Sequence, residues 1–94
     1  MEKKAQTSQI LNHITAARGT KYHELDGDHH IIGYKNVQFW IPSLQSWIPA
    51  RDPDKFLVES TDFNEAWQTF WLKWKKYIST RFPGLTYVSI ENIN

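Results

Sequence analysis

The stretch DFNEAWQTFWLKWKKYISTR, residues 62–81, decides the fold because it predicts one long amphipathic helix. Asp62 is a favourable N-cap residue, and Glu65 follows three positions later, as in a capping box. Apolar side chains then recur at helical spacing: Phe63, Ala66, Trp67, Phe70, Trp71, Trp74, Tyr77 and Ile78. Pro83 and Gly84 predict the end of the helix. The helix therefore has an aromatic face that another element has to cover.

The residues before and after this helix carry strand patterns. Residues 21–25 and 29–34 flank Asp-Gly-Asp at 26–28, which predicts a hairpin. A second reversal at Lys35 and Asn36 is expected to lead into a third strand at 37–41. Residues 55–59 are expected to form a short strand or the approach to the long helix. Residues 85–90 alternate well enough to predict a final strand that returns to the sheet.

The N-terminal residues predict a second, shorter helix at 5–18, since Ile10, Leu11, Ile14 and Ala17 recur at helical spacing and Gly19 follows. The expected fold class is therefore α+β. A small antiparallel sheet of about four strands, in the order α-β-β-β-α-β, would pack against the long C-terminal helix and the shorter N-terminal helix. With 94 residues, the chain is expected to form a single domain, 1–94.

The composition excludes several classes of protein. The chain has no cysteine, so it can form neither a disulfide framework nor a thiolate metal site. No stretch is long and apolar enough to predict a membrane span, and we expect a cytoplasmic protein without a membrane partner. Eleven basic and ten acidic side chains leave a formal charge of +1, which disfavours a binding mode dominated by phosphate neutralisation.

A polar cluster at 23–30 invites a metal hypothesis, because it contains His23, Glu24, Asp26, Asp28, His29 and His30. The spacing matches no recognised metal motif, and adjacent His29 and His30 must point to opposite faces of a strand. We therefore predict exposed or locally hydrogen-bonded histidines and no metal site. Glycine-rich phosphate loops and nucleophile-elbow motifs are also missing from the sequence, so we predict no cofactor and no catalytic residues.

Tryptophan usage is the feature that folding explains least, since one small core has difficulty covering five tryptophans. Two of them lie in a short repeat, Trp40-Ile41-Pro42 and Trp47-Ile48-Pro49. Proline disfavours helix here, so extended edge or loop chain is expected. We predict a partner-binding surface in this segment, made of Phe39, Trp40, Ile41, Trp47 and Ile48. The alternative is that both tryptophan rings close the ends of the core.

These features predict a small non-enzymatic protein–protein interaction module, an inhibitor or adaptor that occupies the surface of a larger cellular protein. The compact, cysteine-free, aromatic-rich character is similar in type to small phage or mobile-element proteins. The alternative is a nucleic-acid-binding protein that uses the basic side of the helix, with contacts from Lys73, Lys75, Lys76 and Arg81. A homodimer formed through the helix, with Trp71 or Trp74 at the seam, is a further hypothesis.

Overall fold

A computed structural model describes residues 13–51, 56–85 and 87–93. These residues form one helix and a five-stranded mixed sheet, so the α+β class is confirmed. In chain order the elements are β1 (Ala16–Asp26), β2 (His29–Ile41), β3 (Ser46–Pro49), β4 (Leu57–Ser60), α1 (Phe63–Arg81) and β5 (Ile90–Asn92).

The sheet is built around β1 and β2, which form a long antiparallel hairpin that confirms the predicted turn. Gly27 adopts the positive φ of 63° that a tight turn between strands requires. On its other edge β2 pairs first with β4 and then with β3, both antiparallel. On the far side of the hairpin, β5 pairs with β1 in parallel. The prediction of an antiparallel sheet is wrong in this respect, because the chain crosses over through α1 before it returns.

The predicted reversal at Lys35 and Asn36 is also wrong, because β2 continues through it. Arg18 pairs with Gln38, whereas Thr20 pairs with Lys35, so β2 has one more residue than β1 between these two pairs. The extra residue forms a β-bulge, and Asn36 adopts a φ of 55° there. Asparagine tolerates this left-handed conformation better than most residues. The chain therefore bends at Asn36 without turning back.

The bulge changes which residues of β2 face the helix. Before it, Ile32 and Tyr34 are buried; after it the buried residues are Val37, Phe39 and Ile41. Successive side chains of a strand point to opposite faces, so one extra residue moves the buried set from even to odd positions. Residues 37–41 therefore bury every second side chain on the same face of the sheet as the first part of β2 does.

The predicted N-terminal helix is not formed at its C-terminal end, since residues 16–18 belong to β1. Ala17 is buried and pairs with Ile90 of β5, and Ala16 pairs with Trp40 of β2. These long-range pairings override the local helical spacing of Ile14 and Ala17. Residues 13–15 are not helical either, and the remainder of the predicted helix, residues 5–12, lies outside the described residues.

The long helix is confirmed, with Asp62 as its N-cap. The Asp62 side chain accepts a hydrogen bond from the backbone N–H of Glu65, at 2.8 Å. At the other end, the N–H of Phe82 donates to the Ile78 carbonyl at 2.8 Å, just before Pro83. The line of α1 that is fully buried against the sheet consists of Ala66, Phe70, Trp74 and Ile78.

Replacing Asp62 by alanine is expected to lower the free energy of unfolding by about 1 kcal/mol, because the N–H of Glu65 loses its acceptor. The expected fall in melting temperature is about 4–8 °C for a chain of this size, measured by circular dichroism. Asp62→Asn is the matched control, since asparagine caps about as well as aspartate. A full loss in the asparagine variant would show that charge, and not capping, carries the effect.

The helix and the sheet make a two-layer core that is rich in aromatic contacts. The Tyr34 ring packs against three rings of α1, those of Trp67, Phe70 and Trp71. Further along β2, Phe39 packs against the rings of Trp74, Tyr77 and Phe82. We call the sheet face that contacts α1 the inner face and the opposite one the outer face. Most of the large aromatic side chains are thus used on the inner face.

Candidate functional site

Two tryptophan side chains meet on the outer face of the sheet. Trp40 of β2 and Trp47 of β3 are directly opposed in the antiparallel pairing, and their ring centroids lie 5.5 Å apart at an angle of 59°. Their neighbours Phe39 and Ile48 pack into the core on the inner face, so strand alternation directs both indoles outward. Both tryptophans are half-buried. We call Trp40 and Trp47 the outer tryptophan pair.

Arg18 of β1 extends this surface. Its guanidinium carbon lies 4.1 Å from the centroid of the Trp47 ring, which is the geometry of a cation–π contact. Its Nε donates a hydrogen bond of 2.8 Å to Oε1 of Gln38, its neighbour across the β1–β2 pairing. These two contacts hold the planar guanidinium in place beside the indole. The outer face thus carries a cationic group next to two large aromatic rings.

The hairpin that carries the outer tryptophan pair is well ordered by hydrogen bonds. The N–H of Leu44 donates to the Ile41 carbonyl, and the N–H of Gln45 donates to the Pro42 carbonyl, both at 3.1 Å. Gln45 completes the turn with a φ of 48°. The repeated Trp-Ile-Pro sequence therefore marks the two strands of one hairpin, and the prolines end the strands. The prediction of extended edge chain is confirmed for β3, which lies at the edge of the sheet.

The structure divides the five predicted contact residues between the two faces. Phe39 and Ile41 are 6% and 3% exposed and belong to the core. Ile48 is half-buried and also packs against the core. Because they alternate with the tryptophans, these three residues lie on the inner face of the sheet, where they anchor the hairpin. Only Trp40 and Trp47 of the predicted set lie together on the outer face.

Arg18 and Gln38 are residues of this surface that the sequence did not predict. The helical spacing of the preceding residues predicts a helix that ends at Arg18, so the local pattern does not place Arg18 beside Trp47. A weak signal existed, since Ala17 and Gly19 are small and alternate with the larger Arg18 and Thr20. This alternation is typical of a strand with one crowded face.

The histidine cluster is divided in the same way. His23 and His30 stack on the inner face, with His23 Nε2 and His30 Nδ1 2.9 Å apart, and both contact the ring of Phe63. His29 points the other way, and its Nδ1 lies 2.8 Å from a carboxylate oxygen of Glu59. In the part of the chain that the structure describes, no three histidine or carboxylate side chains are placed to hold a metal ion together.

The four basic residues of the alternative nucleic-acid site are all exposed but do not form one patch. Residues of a helix are rotated by about 100° each, so Lys73 and Lys75 lie about 200° apart. Lys73 lines a groove with Phe56 and Val58 on one flank of α1. Lys75 lines a different groove on the other flank, beside Tyr87.

Two tyrosines have altered acidity. The Tyr22 hydroxyl donates a hydrogen bond to the carboxylate of Glu24, which raises the pKa of the Tyr22 phenol. Burial raises the pKa of Tyr34, and the neighbouring Tyr87 adds to the effect. Both phenols therefore stay neutral well above physiological pH. Neither group is tuned to exchange protons near pH 7, as a general acid or base would be.

Within the described ranges, α1 is the one helix, and it does not combine the length and the apolar character that crossing a bilayer requires. Comparisons with protein-family models, curated proteins and solved structures find nothing that matches this chain.

Proposed function

We propose that this chain is a non-enzymatic protein–protein interaction module that binds its partner through the outer tryptophan pair and Arg18. The observation that carries the proposal is the position of two large indoles, both half-buried, on the sheet face that α1 does not cover. Tryptophan and arginine are the residue types most enriched among those that dominate binding energies. The three side chains form one contiguous group on adjacent strands.

Preorganisation supports the proposal. Association is opposed by the entropy lost when flexible side chains are immobilised, and this cost is smaller when the free protein already holds them. Trp40 and Trp47 pack against each other, and Arg18 is fixed by Gln38. The surface could therefore engage a partner with little rearrangement.

The competing interpretation is that the two indoles only close the end of the core. The inner face is already filled at this end of the sheet by Phe39, Ile41 and Phe82, all of them buried. The indoles of Trp40 and Trp47 lie on the other side of the sheet and contact each other and Arg18. Their removal would therefore take apolar surface from the outer face and leave the packing beneath α1 in place.

In the cell, we propose that the module acts as an inhibitor or adaptor by occupying the surface of a larger cytoplasmic protein, in the manner of small phage or mobile-element proteins. A rigid, two-layer scaffold with one aromatic contact surface suits such a role. The helix then serves mainly to hold the hairpin that presents the contact residues.

Replacing Trp47 by alanine is expected to weaken partner binding by about 30-fold, which corresponds to a hot-spot loss of about 2 kcal/mol. The melting temperature should change little, since Trp47 lies outside the two-layer core. Partners are captured from lysate of the native cell with the whole chain as bait, identified by mass spectrometry, and titrated against each variant. Equal losses of binding and of stability would instead place Trp47 in the core.

Trp67→Ala is the matched control, because Trp67 is also half-buried but packs on the inner face. It should lower stability and leave partner affinity within a few-fold of the wild type. The capture is repeated after nuclease treatment. A partner that survives nuclease and is lost with Trp47→Ala supports the proposal. Capture that depends on nucleic acid and on Lys75 and Lys76 would favour the alternative function.

A further inference from the structure

The side of α1 that faces away from the sheet carries one large apolar residue, Leu72. It lies two positions from each of the buried residues Phe70 and Trp74, so it points to the opposite side of the helix at about 100° per residue. Its exposed fraction is 71%, the largest of any large hydrophobic residue that the structure describes. Helix packing within the domain gives no reason for an apolar side chain at this position.

Leu72 borders an open groove of about 580 Å³ that is lined by Gln68, Trp71, Leu72, Lys75 and Tyr87. The four helical residues have the spacing i, i+3, i+4 and i+7. In knobs-into-holes packing, these four positions form the hole that accepts one side chain of a facing helix. Tyr87, which is 52% exposed, adds an apolar wall at the side. The back of the helix and the adjoining flank beside Tyr87 therefore offer both a knob and a hole for a second helix.

Charge along this side of the helix favours a particular orientation. Glu65 lies near the start of α1, and Lys75 and Lys76 lie in its second half. Leu72 is the central residue of the helix, which runs from Phe63 to Arg81. If two copies meet antiparallel at Leu72, the acidic half of each helix faces the basic half of the other. A parallel arrangement would place Lys75 and Lys76 beside the same residues of the second copy.

We propose that a second copy of this chain binds the back of α1, antiparallel about a two-fold axis at Leu72. Each Leu72 enters the groove of the other copy, and each Glu65 lies within reach of Lys76 of the other copy. Such a two-fold contact is self-complementary, as isologous interfaces must be. A helix of 19 residues is only about 28 Å long, so the interface is small and the dimer dissociates on dilution. The outer tryptophan pair is on the opposite side of the molecule and stays free.

The test is sedimentation equilibrium of the whole chain from about 1 µM to about 1 mM, the range in which weak dimers dissociate. The wild type should pass from monomer to dimer in this range. Leu72→Glu should lower the association constant at least about 100-fold, because the substitution acts twice in each dimer. Leu72 is exposed, so the variant should keep the circular dichroism spectrum and melting temperature of the wild type. A wild type that stays monomeric throughout would overturn the proposal.

Four further variants locate the contact. Trp47→Ala should leave self-association unchanged. If self-association is lost in Trp47→Ala, the dimer forms through the outer sheet face instead. Glu65→Lys and Lys76→Glu should each weaken the dimer, while the double variant should recover most of the loss because the charges are exchanged between the copies. Failure of the double variant to recover association, with both single variants weakened, would contradict the antiparallel arrangement.

Discussion

Replacing Gly33 by alanine is expected to lower the free energy of unfolding by about 3 kcal/mol or more. Gly33 lies in β2 between β1 and β4, with a φ of 147° that residues with a side chain rarely adopt. A Cβ atom at this position would overlap the carbonyl oxygen of Phe56 and lie 3.1 Å from the Cα of Leu57. Both obstacles are backbone, so relief of the clash would require β4 to move away from β2.

Gly27→Ala is the control for Gly33→Ala. Gly27 also has a positive φ, 63°, but an added Cβ would meet no atom within 4 Å. Only the backbone conformation then opposes the substitution, and the expected cost is about 1–2 kcal/mol. The two variants are compared by urea denaturation and by thermal melting, where Gly33→Ala should melt about 12–24 °C below the wild type. Similar losses in both variants would show that the approach of Phe56 is unimportant.

Trp74→Ala is expected to cost about 3–5 kcal/mol, the range for removing a buried aromatic side chain. Trp74 is 2% exposed and lies at the centre of the two-layer core, in contact with the rings of Phe39, Phe56 and Tyr77. Its indole N–H also donates to the carbonyl of Val88, at 2.7 Å. The side chain therefore fills the core and ties the segment that leads into β5 to the helix.

Trp74→Phe separates these two roles, since it keeps an aromatic ring and removes the indole N–H. The Val88 carbonyl would lose its donor, at an expected cost of about 1–3 kcal/mol. The loss should be local: hydrogen exchange of the Ile93 amide, which donates to the Gly19 carbonyl, should become faster than that of amides within α1. If the Ile93 amide keeps its protection in Trp74→Phe, the indole N–H does not hold β5 in the sheet.

The elements that the sequence predicted well are those with local determinants. The helix is set by a cap at Asp62 and by near-continuous apolar spacing, and the first hairpin is set by the Asp-Gly turn at 26–27. These signals involve residues within a few positions of each other. They operate before any long-range contact forms, so they can be recognised without knowing the fold.

The elements that the sequence did not predict depend on pairing between distant segments. Residues 16–18 follow a helical spacing but become a strand because β2 lies on one side of them and β5 on the other. The parallel direction of β5 depends on the path of the chain across α1, which no local pattern encodes. The candidate site shows the same limit, since Trp40 and Trp47 were predicted and their neighbour Arg18 was not.

The bulge at Asn36 has a consequence for how this surface could have arisen. If β2 kept all of its residues but alternated regularly from Tyr34 onward, Trp40 would point towards α1, and Phe39 and Ile41 would be exposed. Because the bulge absorbs the extra residue at Asn36, a one-residue insertion into a regular strand leaves Phe39 and Ile41 in the core and Trp40 on the outer face. In this strand, the bulge therefore decides which side chains a binding partner can contact, as much as the sequence around it does.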